Sequence, residues 1–187
     1  MIEIKMVGFG GQGCVTLSKL IAKAAVIDGK FAQAFPRFGA ERRGMPVEAY
    51  CRIDKEEILL RMPVEKADYI LVLDSDLIDD SLISSAKKNC LFIVNGKRPP
   101  EDLGIDKFKS IVVDLNSMAK EIFRRKIVNT CMFGAFVGAT NVIKFQSAIE
   151  AVRATFHGKI AELNEEACMK AYELIRKNLL VGKYFLG

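Results

Sequence analysis

Close to its start the chain carries a glycine-rich turn that leaves few folds open. A short apolar run over residues 2–7 breaks into GFGGQG at residues 8–13, and a helical pattern follows at once. Gly8, Gly10 and Gly13 fit the spacing G-x-G-x-x-G, in which glycines allow a tight turn, close backbone approach to a ligand and close packing of helix on strand. A strand that turns through glycines into a helix is typical of the start of a nucleotide-binding α/β domain.

Two interpretations of this turn remain open. The free N–H groups at a helix start favour an anion, so the turn could bind a nucleotide phosphate. A nicotinamide-binding domain, however, usually carries an acidic residue for the ribose about 20 residues later, whereas here the second predicted strand, residues 31–35, ends in Pro36 and Arg37. Asp28 lies too early, at the end of the first helix. The glycines could equally serve only a tight turn and close packing.

The rest of the chain alternates between strand and helix patterns joined by short links. The predicted strands are residues 2–7, 31–35, 47–53, 67–73, 90–94 and 110–113, and the predicted helices are residues 11–28, 77–87, 117–124, 129–141, 146–156 and 160–178. Residues 58–61 are expected to pair with residues 47–53 as a hairpin around Asp54 and Lys55. This alternation predicts a single α/β domain over residues 1–187, a Rossmann-like, doubly wound three-layer sandwich whose mostly parallel sheet carries an antiparallel hairpin.

Four predicted strands should end at one edge of this sheet, which is where such folds bind their ligands. The residues at these ends are Gly8, Pro36, Asp74 and Asn95. Asp74 and Asp76 form a carboxylate pair that could bind Mg²⁺, but an Asp in this place more often caps the next helix. Capping is therefore the favoured prediction.

Composition excludes several classes of protein. Lys and Arg number 28 and Asp and Glu 23, so the net charge of +5 is too modest to indicate nucleic-acid binding. The apolar runs are too short to span a membrane. The N-terminus lacks the basic start and extended apolar stretch of a signal peptide, so a cytoplasmic location is expected.

The chain shows no convincing catalytic or metal-binding set. Its five cysteines are scattered without a C-x-x-C pair, although metal and iron–sulfur sites need clustered thiolates. The single histidine, His157, has no evident partner for acid–base or nucleophilic work. The chain therefore has the ligand-binding edge of an α/β protein without catalytic machinery of its own, as expected for one part of a larger enzyme.

A charged loop between glycines is the most unusual segment. Residues 39–44, GAERRG, follow Arg37 and place Glu41, Arg42 and Arg43 next to one another. Arginines on such a loop suit phosphate or carboxylate recognition, and Glu41 could orient one of them. The alternative is a solvated loop whose charges contact nothing.

Three motifs in order resemble one family. Residues 8–13 resemble the glycine motif of the gamma subunit of 2-oxoacid:ferredoxin oxidoreductases, and residues 33–47 resemble that family's second motif in the form typical of pyruvate enzymes. Residues 129–136, NTCMFGAF, are similar to the third motif, which usually has Leu where Phe133 stands. Weaker similarities near the end are Phe156, Asn164 and Tyr172.

The resemblance implies a function and a set of partners. The complete enzyme of that family decarboxylates a 2-oxoacid on thiamine diphosphate, passes electrons through iron–sulfur clusters to ferredoxin, and transfers the acyl group to coenzyme A. It implies alpha, beta and delta-type partner subunits that hold the thiamine diphosphate and the clusters, no cofactor bound by this chain alone, and only indirect contact with ferredoxin. The alternatives are a self-contained nucleotide-binding oxidoreductase domain and a gamma-type subunit of a 2-oxoglutarate or indolepyruvate enzyme.

The motifs and the charged loop together define the candidate binding residues. They are Gly8, Gly10, Gly11, Gln12, Gly13, Arg37, Glu41, Arg42, Arg43, Asn129 and Thr130.

Overall fold

A computed structural model of the chain describes residues 1–37, 45–182 and 185–186. Its sheet has seven strands in the order β2-β3-β1-β4-β5-β6-β7. Only β3 runs against its neighbours, β1 and β2, and the other ladders are parallel. The strands are β1 Ile2–Phe9, β2 Phe31–Pro36, β3 Pro46–Asp54, β4 Ala67–Val72, β5 Ala86–Asn95, β6 Lys109–Val113 and β7 Phe185–Leu186. The predicted α/β class and the mostly parallel sheet are confirmed.

The helices lie mainly on one face of the sheet. They are α1 Cys14–Ile27, α2 Asp80–Ser84, α3 Leu115–Phe123, α4 Asn129–Ala139, α5 Phe145–Arg153 and α6 Gly158–Leu180, with a 3₁₀ turn at Ser75–Leu77. All of these helices except α2 pack on what we call the helical face. None of the helices in the described ranges is long and apolar enough to cross a membrane.

The opposite face, here called the thin face, is covered by α2, the 3₁₀ turn and irregular segments that include Val64, Leu103 and Ile105. Strand β1 shows how the two faces are built, because successive side chains of a strand point in opposite directions. Ile4 and Met6 are buried on the helical face, whereas Val7 is buried on the thin face. The predicted layer on this second face of the sheet is therefore present, but it contains only short helical turns and irregular segments.

The hairpin predicted for residues 58–61 is wrong. These residues form no strand, and β3 pairs instead with β1 and β2. Both edges of β3 are occupied by these two ladders, so no edge remains for a further strand. The segment contacts β3 instead through Arg52, a fully buried side chain that bonds to Glu3 and donates to the carbonyl oxygens of Leu60 at 3.5 Å and Pro63 at 3.2 Å. A buried guanidinium must find acceptors, and this segment supplies two of them.

The predicted helix over residues 77–87 is also wrong in its extent. The structure has a 3₁₀ turn followed by the short α2, and β5 already begins at Ala86. Asp74 accepts a hydrogen bond from the amide of Asp76, and Asp79 accepts one from the amide of Leu82. Two Asp caps in close succession start two short turns rather than one helix. Capping by Asp74 is confirmed.

Close packing of α4 on α6 places the start of α4 at the sheet edge. Helix α4 is buried along nearly its whole length. A Cβ on Gly134 would overlap the carbonyl oxygen of Cys168, and one on Gly138 would lie 2.8 Å from that of Tyr172. The two glycines thus let the helix backbones approach, which no larger residue would allow.

Candidate functional site at the carboxyl edge of the sheet

The carboxyl ends of the strands meet at one edge, as predicted. Strands β1, β2, β4 and β5 run in the same direction, so Gly8, Pro36, Asp74 and Asn95 lie at that edge. The side chain of Asn95 joins the neighbouring elements there. Its Nδ2 donates to the backbone carbonyl of Leu73 at 2.8 Å, and its Oδ1 accepts from the backbone amide of Leu115 at 3.0 Å. These hydrogen bonds hold the ends of β4 and β5 and the start of α3 together at this edge.

Gln12 closes the glycine-rich turn. Its Oε1 accepts a hydrogen bond from the amide of Phe9 at 2.7 Å, and its Nε2 donates to Asp74 Oδ2 at 3.2 Å. The side chain thereby joins the end of β1 to the end of β4. This is where the strand order reverses, with β2 and β3 on one side and β4 to β6 on the other, and it is the place where a doubly wound fold receives a ligand.

Gly13 is a glycine because α4 packs against it. Its φ is +87°, and a Cβ there would lie 2.6 Å from Nδ2 and 3.0 Å from Cβ of Asn129. The third glycine of the motif thus serves contact with α4. Because Gln12 and Asn129 occupy the reversal point, the geometry does not favour a self-contained dinucleotide-binding domain.

Asn129 and Thr130 belong to a buried polar network under the turn. Thr130 is fully buried and donates from Oγ1 to Asn164 Oδ1 at 2.6 Å. The side-chain Nδ2 of Asn164 donates in turn to the backbone carbonyl of Ile160 at 2.8 Å. Asn129 Oδ1 accepts from the amide of Thr130 at 2.9 Å. The bond between Thr130 and Asn164 joins α4 to α6, so Asn164, one of the weaker similarities in the sequence, has a structural role.

The carboxyl-terminal end of the charged loop reaches the glycine-rich turn. Gly10 donates from its amide to the carbonyl of Met45 at 2.9 Å, and Phe9 pairs with Pro46 in the β1–β3 ladder. The loop residues Glu41, Arg42 and Arg43 lie outside the described residues.

Arg37 points to a different part of the edge. Its guanidinium is 66% exposed and lies 3.2 Å from Glu48 Oε1 on the thin face. Strand β3 separates β2 from β1, so this side chain lies about 10 Å from the glycine-rich turn at normal strand spacing. The structure therefore does not bring Arg37 onto the turn.

A basic cleft beside the turn was missed by the sequence reasoning. It has a volume of 270 Å³ at the ends of β4 to β6 and is lined by Lys97, Lys120 and Lys126, among others. Burial raises the pKa of Asp114 in this cleft, but its hydrogen bond from Ser117 and its ion pair with Lys97 outweigh that and hold the pKa below its ordinary value. The signal available in the sequence was the basic run at residues 124–126.

The cysteines do not fit an iron–sulfur site. Burial raises the pKa of the Cys51, Cys90, Cys131 and Cys168 thiols to about 12, and a cluster needs several thiolates close together. Within the described part of the chain, no group of three or more His, Cys, Asp or Glu side chains could hold a metal ion.

Comparison with known proteins decides the family. Residues 3–174 match the model of the family described as pyruvate ferredoxin/flavodoxin oxidoreductase. The chain belongs to this family. The match spans the turn, the charged loop and α4, so it includes all three motifs that carried the resemblance.

Relatives in the pyruvate ferredoxin/flavodoxin oxidoreductase family are similar over nearly their whole length. Pyruvate synthase subunit PorC of Methanocaldococcus jannaschii is 42% identical, with 95% of this chain and 99% of the relative covered. The common subunit gamma of the pyruvate/ketoisovalerate oxidoreductases of Pyrococcus furiosus is 39% identical, with 92% and 96% covered.

Two solved structures share the fold. Pyruvate oxidoreductase subunit PORC of Thermotoga maritima superposes with a TM-score of 0.81 at 30% identity, covering 92% of this chain and 95% of that one. A 2-oxoglutarate:ferredoxin oxidoreductase of Magnetococcus marinus has a TM-score of 0.79 at 20% identity, covering 94% of this chain but 31% of that longer one. The latter shows the fold alone, as one part of a larger polypeptide.

Proposed function

We propose that the chain is the gamma subunit of a multi-subunit pyruvate:ferredoxin oxidoreductase and is not catalytic by itself. The observation that carries this is the family match along residues 3–174, together with full-length relatives that are themselves named as subunits of pyruvate-oxidising enzymes. In this role the chain supports the oxidative decarboxylation of pyruvate to an acyl-coenzyme A with electron transfer to ferredoxin.

Substrate choice in this proposal resides outside the gamma subunit. One relative is named as the subunit common to a pyruvate and a ketoisovalerate oxidoreductase, so one gamma chain there serves two 2-oxoacids. Pyruvate is our first choice for this chain because several relatives are named for it.

Thiamine diphosphate and the iron–sulfur clusters belong to the partner subunits in this proposal. The arrangement of the side chains supports that assignment, because no group of three or more His, Cys, Asp or Glu side chains in the described residues could hold a metal ion. The partners are alpha, beta and delta-type subunits, ferredoxin receives electrons from the clusters rather than from this chain, and the complex works in the cytoplasm.

The glycine-rich turn contributes an anion site for a phosphate of coenzyme A in this proposal. Helix α1 starts without a hydrogen bond from any capping side chain, so its first amides favour an anion. Gly11 is exposed, and the space where its Cβ would stand is open, so a ligand could approach the backbone there. Arg42 and Arg43 join this site on sequence grounds, whereas Arg37 is left out of it because its guanidinium pairs with Glu48 away from the turn.

Co-purification tests the proposal directly. An affinity-tagged copy of the chain, expressed in its own organism, should recover subunits that contain thiamine diphosphate and iron. The recovered complex should reduce ferredoxin with pyruvate and coenzyme A, and more slowly with 2-oxoglutarate or indolepyruvate. Recovery of the chain without such subunits, or preference for another 2-oxoacid, would overturn the assignment or its pyruvate part.

A further inference from the structure

A lysine in the middle of an apolar strand is the starting point. Lys5 lies between Ile4 and Met6 on β1, and its side chain is only 8% exposed. Lysine is almost never buried this deeply unless it is paired. Its one ionic contact among the described residues is Glu48, with Nζ and Oε2 3.4 Å apart.

Glu48 does not neutralise Lys5 alone. Its carboxylate also accepts a hydrogen bond from Tyr50 at 2.6 Å and one from Arg37 at 3.2 Å. Burial raises the pKa of Glu48, but the bond from Tyr50 and the two cations outweigh burial and keep the pKa below its ordinary value. One carboxylate thus serves two cations, and the Lys5 ammonium keeps donors to spare.

Of these groups, Lys5, Arg37 and Tyr50 line a pocket of 630 Å³ on the thin face. This volume lies in the range of small-molecule sites. Lys5 and Tyr50 form its floor, and Phe35 at the end of β2 forms one wall. The exposed Arg61 is a third cation among the lining residues, and the exposed Glu65 is the one carboxylate among them.

Arg52 and α2 hold the walls in place. The Arg52 guanidinium lies 5.3 Å from the centre of the Phe35 ring and donates to the carbonyl of Pro63, which stands in the wall next to Arg61. Ser81 and Ser84 are three residues apart on α2, so both hydroxyls can line the remaining side. The pocket is therefore built from fixed elements.

We propose that this pocket binds a phosphate monoester, with the phosphate on Lys5, Arg37 and Arg61 and the organic group against the rings of Phe35 and Tyr50. A phosphate monoester carries about −1.5 to −2 charges at pH 7 and presents three acceptor oxygens. Two guanidinium forks, an ammonium and two hydroxyls supply matching donors. The rings, whose centres are 5.3 Å apart, give an apolar surface for the remainder.

The site is distinct from the glycine-rich turn and does not rest on the proposed function. The competing explanation is that Lys5, Glu48 and Arg37 form only a structural ion-pair cluster of the sheet. The two accounts differ in whether the full chain binds a phosphate monoester through Arg61, which makes no ion pair with any described residue.

Calorimetric titration of the full chain with phenyl phosphate tests the proposal, with phenol and inorganic phosphate as matched ligands. We expect one phenyl phosphate per chain, weaker binding of inorganic phosphate and no binding of phenol. Removing one charged hydrogen bond costs about tenfold to a hundredfold in affinity, so Arg61→Ala and Lys5→Met should weaken binding by that factor. The control Arg176→Ala removes an equally exposed arginine far along the chain on α6 and should bind as the wild type does.

Three outcomes would overturn the proposal. They are no saturable binding of phenyl phosphate, equal affinities in Arg61→Ala and Arg176→Ala, and equal binding of phenol. Because Lys5→Met could disturb the fold, the surface variant Arg61→Ala decides the question, and its thermal unfolding should match that of Arg176→Ala.

Discussion

Replacing Gly13 with Ala tests the contact between the glycine-rich turn and α4. The added Cβ would lie 2.6 Å from Asn129 Nδ2 and 3.0 Å from its Cβ and Cγ. Asn129 is buried and hydrogen-bonded to the amide of Thr130, so it has little room to move away. The same position has a φ of +87°, which an L-residue with a Cβ rarely adopts.

The expected loss of stability has two parts. The left-handed backbone costs an alanine about 1–2 kcal/mol, and overpacking against Asn129 adds about 1–3 kcal/mol. Gly11→Ala is a matched control, because Gly11 has a φ of +97° but nothing within 4 Å of the Cβ position. It should lose only the backbone part.

Urea unfolding of the three proteins separates the two parts. Gly13→Ala should shift the midpoint to lower urea by clearly more than Gly11→Ala, at an unchanged slope. In Gly13→Ala, further replacement of Asn129 by Ala should recover part of the loss, since Nδ2, the nearest clashing atom at 2.6 Å, and Cγ are removed while Cβ remains. Equal midpoints for Gly11→Ala and Gly13→Ala would refute the claim that α4 occupies the turn.

Three further predictions concern assembly, the anion site and acidity. Hydrogen exchange should slow at residues 39–46 and 129–136 when the partner subunits bind, and unchanged protection in both would argue against an interface there. Arg42→Ala and Arg43→Ala should raise KM for coenzyme A about tenfold to a hundredfold in an intact complex, whereas wild-type values in both would exclude the anion site. Burial raises the pKa of Asp28, but the Lys30 hydrogen bond and other contacts outweigh burial and lower the pKa. Asp28 therefore stabilises the fold above about pH 4, and this contribution is lost as pH falls further. Melting temperatures across this range should fall less for Asp28→Asn than for the wild type, and parallel curves would contradict it.

Periodicity and glycines made the first part of the fold predictable. Leu17, Leu20, Ile21 and Ala24 recur at helical spacing and are all fully buried in α1, and Gly29 follows the end of the helix with a φ of +78°. These are local signals, which a sequence displays without knowledge of its neighbours. The gathering of strand ends at one edge followed from the handedness and alternation of the elements.

One error came from residues that are apart in the sequence. The pattern over residues 47–53 suits a strand, but nothing in the sequence shows that β1 and β2 occupy both edges of β3 or that the Arg52 guanidinium donates to the carbonyls of Leu60 and Pro63. The other error was local. The pattern over residues 77–87 suits one helix, but Asp79 caps a second turn through the amide of Leu82.

The candidate site was predicted only in outline. The resemblance identified both Gly13 and Asn129 as candidate residues. Only the structure shows that the two are in contact and that a side chain at position 13 would clash with Asn129. The burial of Lys5 could not be predicted, because a single lysine within an apolar strand normally lies on an exposed face. Only the structure shows that Glu48 pairs with this lysine and is itself bonded to Tyr50.

Adding the chain back to its partner subunits tests the proposed function most directly. The alpha, beta and delta-type subunits, purified without this chain, should show little pyruvate- and coenzyme A-dependent reduction of ferredoxin, and the chain alone should show none. Activity should rise with added chain and level off at one chain per complex. Full activity of the partner subunits without the chain, or turnover by the chain alone, would contradict the assignment as a non-catalytic gamma subunit.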